Sequence, residues 1–156
     1  MSSLRHSFSS LLSEHLQLEE LFNTHQRALL ARDLDGALGA VNRFENVLRK
    51  HIDFEEEVLL PMYGAKRLQT LGGTLPIFQS EHRKLLQSIA KLARDTQALP
   101  ESSDILGSIL NLLDEEAMFK GLFNHHSLRE KNLLFPRLDA CTSETERENA
   151  LKNHAA

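Results

Sequence analysis

A histidine, a glutamate four residues on and a proline six residues after that occur twice in this chain, as His51-Ile-Asp-Phe-Glu55-Glu-Glu-Val-Leu-Leu-Pro61 and as His126-Ser-Leu-Arg-Glu130-Lys-Asn-Leu-Leu-Phe-Pro136. On a helix the four-residue interval stacks imidazole above carboxylate on one face. If that face is turned to the core, the chain must bury two carboxylates and their histidines together. Each copy is therefore half of a metal site.

The apolar periodicity turns both copies inward. Phe8, Leu11, His15, Leu18, Phe22, His25 and Leu29 step alternately by three and four, the seam of a helix packed in a bundle. It ends near Arg32-Asp33-Leu34-Asp35-Gly36, where aspartate can cap and glycine can turn. The second seam is Ala37, Val41, Phe44, Leu48, His51, Glu55, Val58 and Met62, and Pro61 is expected to bend or end that helix. Gly64, Gly72, Gly73 and Pro76 mark a connection at the middle of the chain. Phe78, His82, Leu85, Ile89 and Leu92 form a third seam, spent by Leu99-Pro100. Ser102-Ser103-Asp104 can cap the fourth, whose seam is Ile105, Ile109, Leu112, Glu116, Phe119, Phe123, His126, Glu130 and Leu133. After Cys141, Thr142 or Ser143 can cap a short C-terminal helix, to which we assign little function.

The halves repeat one plan, a helix with a seam histidine followed by a helix with His and Glu: His15 then His51 and Glu55, His82 then His126 and Glu130. The expected fold is all-α, an up-down-up-down four-helix bundle, formed by a single domain over residues 1–156 with its core at about 4–139. In that topology the second and fourth helices run parallel, so the two glutamates can face each other.

Composition narrows the function. With 41% hydrophobic and 26% charged residues, no apolar run long enough to cross a bilayer and a net charge of -4 without a basic stripe, neither a membrane nor nucleic acid is an expected partner. One cysteine, Cys141, excludes an internal disulfide, and the first residues lack the apolar core of a secretory signal, so a reducing cytoplasm is expected.

Taken singly, a histidine on an apolar face is usually a hydrogen-bonded core residue. Four of them with two carboxylates in dry seams are different, because unpaired buried carboxylates are costly and divalent cations remove that cost. Imidazole with carboxylate suits iron, manganese or zinc. If both glutamates bridge two metals, each metal receives two histidine nitrogens and two glutamate oxygens and keeps positions for solvent and for an exogenous ligand.

These residues carry a resemblance. Over about residues 4 to 139 the sequence resembles the hemerythrin-like, or HHE cation-binding, family, whose pattern is His followed by His-x-x-x-Glu, given twice on a four-helix bundle. The resemblance implies His15, His51, Glu55, His82, His126 and Glu130 as ligands of two non-haem iron ions, with the glutamates bridging and with manganese or zinc as substitutes. Oxygen-carrying hemerythrins have a further histidine one turn from the third-helix ligand, whereas Phe78 and Leu86 stand four residues before and after His82. The ligand count is closer to bacterial di-iron proteins of iron-sulfur repair. Those carry cysteines in an N-terminal segment, and the fourteen residues before His15 contain none.

Two function classes remain open: chemistry on O2, NO or peroxide at an open iron position, and an iron-sensing or iron-handling module, read by a protein partner, without turnover of its own. Among other residues, His125 lies about 100° round the helix from His126 and is expected to be exposed or behind the ligands. Glu56, Glu57 and Glu115 are read as solvated faces and Cys141 as a small residue near the surface. Tyr63 is either a donor behind the site or a packed helix end, and Gly121 marks either a close helix contact or a bulge. His25 lies ten residues after His15 and Glu116 ten before His126, so in antiparallel helices they reach similar depth. Two readings stand side by side: Glu116 reaches solvent, or the two form a polar contact, directly or through water, with Asn42 or Arg43 as third member and a proton relay toward the metals as its use.

Overall fold

The computed structural model describes residues 5–155, and among these there is no strand. After a 3-10 turn at Phe8–Leu11 come four long helices, α1 (Leu12–Leu30), α2 (Leu34–Phe54), α4 (Leu75–Gln97) and α5 (Ile105–Arg129). Three shorter helices complete the chain: α3 (Leu60–Ala65) continues α2, α6 (Phe135–Cys141) continues α5, and α7 (Glu144–Ala155) closes the described residues. The starts obey the local chemistry. Asp33 and Asp104 accept from the backbone N–H of Gly36 and Gly107 at 3.0 Å each, and a Cβ on either glycine would collide with the capping carboxylate. Ser143 and Glu146 cap α7 reciprocally, each side chain taking the other's backbone N–H at 3.1 Å.

Helix α1 packs on α2, α2 on α4, α4 on α5, and α5 back on α1, the last pair the least closely packed of the four. The expected seams face inward and make two apolar clusters. One gathers Leu18, Phe22, Phe44, Leu85, Phe119 and Phe123; the other gathers Leu11, Leu59, Tyr63, Phe78, Leu134 and Phe135. On every long helix, taken with the turn or helix that adjoins it, the site histidine falls between a contribution to one cluster and a contribution to the other. The site is a polar layer between two dry ones. No helix is long and apolar enough to cross a membrane among the described residues.

One feature departs from the expected helices. Pro61 does not end the second helix; α2 passes into α3 through a π turn at Glu55–Leu59, closed by the N–H of Leu60 on the carbonyl of Glu55. Likewise α5 passes into α6 through a π turn at Glu130–Leu134, closed by Phe135 on Glu130. Proline lacks an N–H and its ring crowds the carbonyl four residues earlier, so a wider turn ahead of Pro61 and Pro136 relieves what a regular α-turn would strain. The extra residue rotates everything beyond it. Val58, Met62 and Leu133, expected inside, are only partly buried, and Leu59, Tyr63 and Leu134 replace them in the core.

Candidate metal centre

The structure brings all six candidate residues together, each 5% exposed or less. Ligand-type atoms of Glu55, His82, His126 and Glu130 lie within 4.8 Å of one another, and so do those of His15, His51 and Glu130. Glu130 is common to both groups and divides its oxygens. Oε1 lies 2.9 Å from His15 Nε2 and 3.5 Å from His51 Nε2, whereas Oε2 lies 3.4 Å from His126 Nε2 and 4.0 Å from His82 Nε2. Glu55 spans the groups as well, with Oε1 at 3.4 Å from His51 Nε2 and 3.1 Å from His82 Nε2. The Nε2 atoms of His15 and His51 are 3.3 Å apart. Two nitrogens bound at right angles at about 2.1 Å would sit about 3 Å apart, so the spacing suits two donors on one ion.

What makes the layer a cation pocket is the outer side of the rings. His51 donates Nδ1–H to Glu14 Oε2 at 2.8 Å, His82 to Glu56 Oε1 at 2.7 Å and His126 to Glu81 Oε1 at 2.9 Å. With the ring proton held outside, the neutral imidazole presents the lone pair of Nε2 to the inside. There it meets carboxylate oxygens. Both oxygens of Glu55 and of Glu130, and Nε2 of His82 and of His126, are buried with no aligned hydrogen bond, although they approach one another closely. Lone pair faces lone pair.

The field in this layer attracts positive charge. Burial acts to lower the pKa of His82, but Glu130 and Glu55 overcome it and raise the group to about 10. Burial likewise opposes protonation of His126, and Glu130, Glu81 and Glu55 lift it to about 9. For His51 burial is again overcome, here by Glu55, Glu130 and Glu14, and the pKa rises well above its ordinary value. Burial favours protonation of Glu130, yet His126, Glu55 and His15 hold its carboxyl well below the usual range. Protons on the rings of His51, His82 and His126 stand in for a cation.

The outer carboxylates are where the sequence reading fell short. Glu56 is not a solvated residue but the support of His82, whereas Glu57 is exposed and Glu115 pairs with Lys91 on the surface. Glu14 and Glu81 were not singled out, although Ser-Glu-His occurs twice, at 13–15 and 80–82, and marked them. Each support comes from the preceding long helix: Glu14 of α1 for His51, Glu56 beside Glu55 for His82, Glu81 of α4 for His126. The fourth place breaks the pattern. Lys131 stands after Glu130 as Glu56 stands after Glu55, and among the described residues no carboxylate holds Nδ1 of His15.

Glu81 is itself held by Arg129, whose Nε lies 3.1 and 3.2 Å from its two oxygens, and exposed His125 meets the Arg129 guanidinium at 2.9 Å. Tyr63 proves a packed helix end: it is fully buried, its hydroxyl donates to Gly73 O at 2.6 Å, and its ring lies edge-on to Phe78. Gly121 sits in regular α5, and a Cβ there would meet nothing within 4 Å, so neither a close contact nor a bulge explains it. Cys141 is exposed.

His25 and Glu116 do meet, both fully buried, with Nε2 2.7 Å from Oε2. The further members differ from those expected. His25 Nδ1 reaches Ala37 O at 2.7 Å and Gln26 Nε2 donates to Glu116 Oε1 at 3.2 Å, whereas Asn42 and Arg43 lie on the exposed side of α2. Among the described residues no chain of hydrogen-bonded side chains leads from this pair toward the centre. From His25 the rings run Phe22, Phe119, Phe123 and then His15, at centroid spacings of 5.7, 5.3, 6.3 and 6.1 Å, and phenylalanine carries no exchangeable proton.

An all-helical chain that buries four imidazoles and two carboxylates in one layer, with lone pairs converging, is a cation-binding protein in its architecture. The family comparison agrees: the hemerythrin HHE cation binding domain matches residues 6–138, and the chain belongs to that family. No curated protein and no solved structure matches it.

Proposed function

We propose that His15, His51, Glu55, His82, His126 and Glu130 hold two non-haem iron ions, with both glutamates spanning the pair, and that the centre reacts with or senses dioxygen, nitric oxide or peroxide. The observation that carries this is the set of buried carboxylate oxygens of Glu55 and Glu130, facing Nε2 of His82 and His126, for which the described residues offer no aligned hydrogen-bond partner. Manganese or zinc fits the same donors. The order of the apolar clusters along the helices supports an up-down-up-down arrangement. From the 3-10 turn into α1 the chain passes from Leu11 to Leu18 and along α4 from Phe78 to Leu85; along α2 and α5 with the π turns that follow them it passes between the same clusters the other way, from Phe44 to Leu59 and from Phe123 to Leu134. That brings Glu55 and Glu130 to one level from parallel helices.

Bound iron supplies ferrous–ferric exchange and a coordination position for a small ligand. The chain's part is to place the donors and to leave one approach. Glu14, Glu56 and Glu81 fix three rings from outside. The α1–α5 seam is the side left open: a cavity of about 300 Å³ there is bounded by Leu12, His15, Leu16, Ser127 and Lys131, and the Ser127 hydroxyl is buried without a partner. A small ligand arriving here meets the one candidate ligand whose ring lacks a carboxylate support. A cytoplasmic setting, where ferrous iron is accessible, accords with the lone exposed Cys141.

Anaerobic loading with Fe2+ followed by elemental analysis tests the reading: two ions per chain are expected, and alanine at any of the six positions should lower that number. Glu55→Gln and Glu130→Gln should weaken metal binding more than the metal-free fold. Well under one ion per fully loaded chain would overturn the dinuclear assignment. Rapid mixing of the loaded protein with O2, NO and peroxide then separates reaction from sensing; binding without turnover favours the iron-sensing or iron-handling module read by a protein partner.

A further inference from the structure

Helix α7 lies beyond the residues matched by the family domain, yet it reaches the centre. Its His154 bonds through Nε2 to Glu14 Oε1, while Glu14 Oε2 takes the Nδ1–H of His51. The His154 ring also stacks on Phe54, at 4.2 Å between centroids and 24° between planes, beside the turn that carries His51 and Glu55. The helix is firmly seated. Arg147, 5% exposed, donates to Thr142 O at 2.6 Å, Arg5 O at 3.3 Å and Asp139 O at 3.4 Å, and Ala150 joins the apolar cluster below the site.

The other half of the molecule shows what such a contact does. There a ligand candidate, a carboxylate and a fixed donor form a chain of three, His126–Glu81–Arg129, with the donor on α5 itself. In the first half the chain is His51–Glu14–His154, and the donor comes from outside the bundle. Glu14 is 21% exposed at its side chain, so without a second anchor its oxygens could turn to water. We propose that His154 is a positioning residue of the metal centre: through Glu14 it sets the ring of His51, and it thereby couples docking of α7 to the metal position that His51 and His15 share. This rests on the metal reading above. Outer partners of ligating histidines change metal affinity by about 10–100-fold when removed, and a group one step further out should act at the lower end.

The test uses the full chain with His154→Phe, which keeps the stack on Phe54 and removes the donor, and His154→Gln, which returns an N–H near the place of Nε2. Stepwise Co2+ titration of metal-free protein, followed optically, should show one of two binding steps weakened about tenfold in His154→Phe, partly recovered in His154→Gln, with the other step unchanged. Glu14→Ala should weaken the same step, and the double variant Glu14→Ala/His154→Phe no further, because the two residues act in series. Unchanged steps in His154→Phe, equal weakening of both steps, or losses that add in the double variant would overturn the proposal. The Nδ1–H resonance of His51 in metal-free protein gives a reading independent of any ion: it should resist exchange in the parent and in His154→Gln and lose that protection in His154→Phe. If the parent takes up no metal, the metal reading falls and this resonance alone decides; its persistence in His154→Phe would refute a positioning role.

Discussion

Hydrogen-bond geometry separates two of the buried polar groups of this molecule. His25 and Glu116 complete each other: both ring nitrogens and both carboxylate oxygens have partners. Removing one member, as in Glu116→Leu, should cost about 3–5 kcal/mol by orphaning the other, whereas His25→Leu/Glu116→Leu should cost less than the single change, with metal content unaltered in both. Urea melts of the set check this, and a double variant weaker than Glu116→Leu would contradict it. At the centre, by contrast, both oxygens of Glu55 and Glu130 and Nε2 of His82 and His126 have no aligned partner among the described residues. His82 and His126 hold protons up to about 10 and about 9, against burial, because Glu130 and Glu55 face them. A metal must displace those protons, so at pH 7 loading should release more than one proton per chain, and apparent affinity should rise with pH until about 9 to 10. Calorimetric titration in two buffers of different ionisation enthalpy measures the number. Uptake with no proton released would mean the rings are already neutral.

Among the elements, the two π turns hold most of what the sequence did not disclose. Periodicity located the four seams and their histidines, since three-and-four spacing follows from helix geometry alone, and Asp33, Asp104 and Ser143 announced their caps. It failed after Glu55 and Glu130 because a π turn adds one residue without leaving a compositional mark, and a seam counted at 3.6 residues per turn then names Val58 and Met62 in place of Leu59 and Tyr63. The doubled proline was the available clue, but Pro61 was read as a bend or an end of the helix. The outer carboxylates were missed for a different reason: they lie one residue beside a ligand candidate and act on the next helix, a relation that spacing along one helix cannot express. Deleting exposed Glu57 tests the turn directly. The shortened segment can run as plain α-helix with Leu59 and Tyr63 still inward, but Pro61 then sits inside a regular helix at a cost of about 3 kcal/mol; the metal-free variant should keep its helix content and melt lower than the parent, while Glu55, which now starts no wide turn, is displaced and metal affinity falls at least about tenfold. Circular dichroism and Co2+ titration read the two effects; unaltered affinity would show that the π turn does not place the glutamate.

At the scale of the whole molecule, the polar layer divides the core into two apolar clusters, and each long helix, taken with the turn or helix that adjoins it, contributes to both. Whatever satisfies the layer therefore ties the four helices together, which makes an ion there a fastener of the fold. A ligand present at about a thousand times its dissociation constant adds about 4 kcal/mol to the folded state, and for a chain of this size that is about 10 °C in melting temperature. The metal-free protein has a partial substitute in the protons on His82 and His126. Their folded pKa values lie above the ordinary 6.5, so the stabilisation they bring is complete below about pH 6.5 and is lost as pH rises through about 9 to 10. Loaded protein has exchanged those protons for metal and lacks this dependence. The difference in melting temperature between loaded and metal-free forms should consequently widen from pH 6.5 to pH 10, by a fall in the metal-free form and not by a rise in the loaded one. Scanning calorimetry of both forms across that interval measures it; a constant difference would show that protons on these rings do not hold the layer together, and coincident melting at every pH would show that the layer does not need to be held.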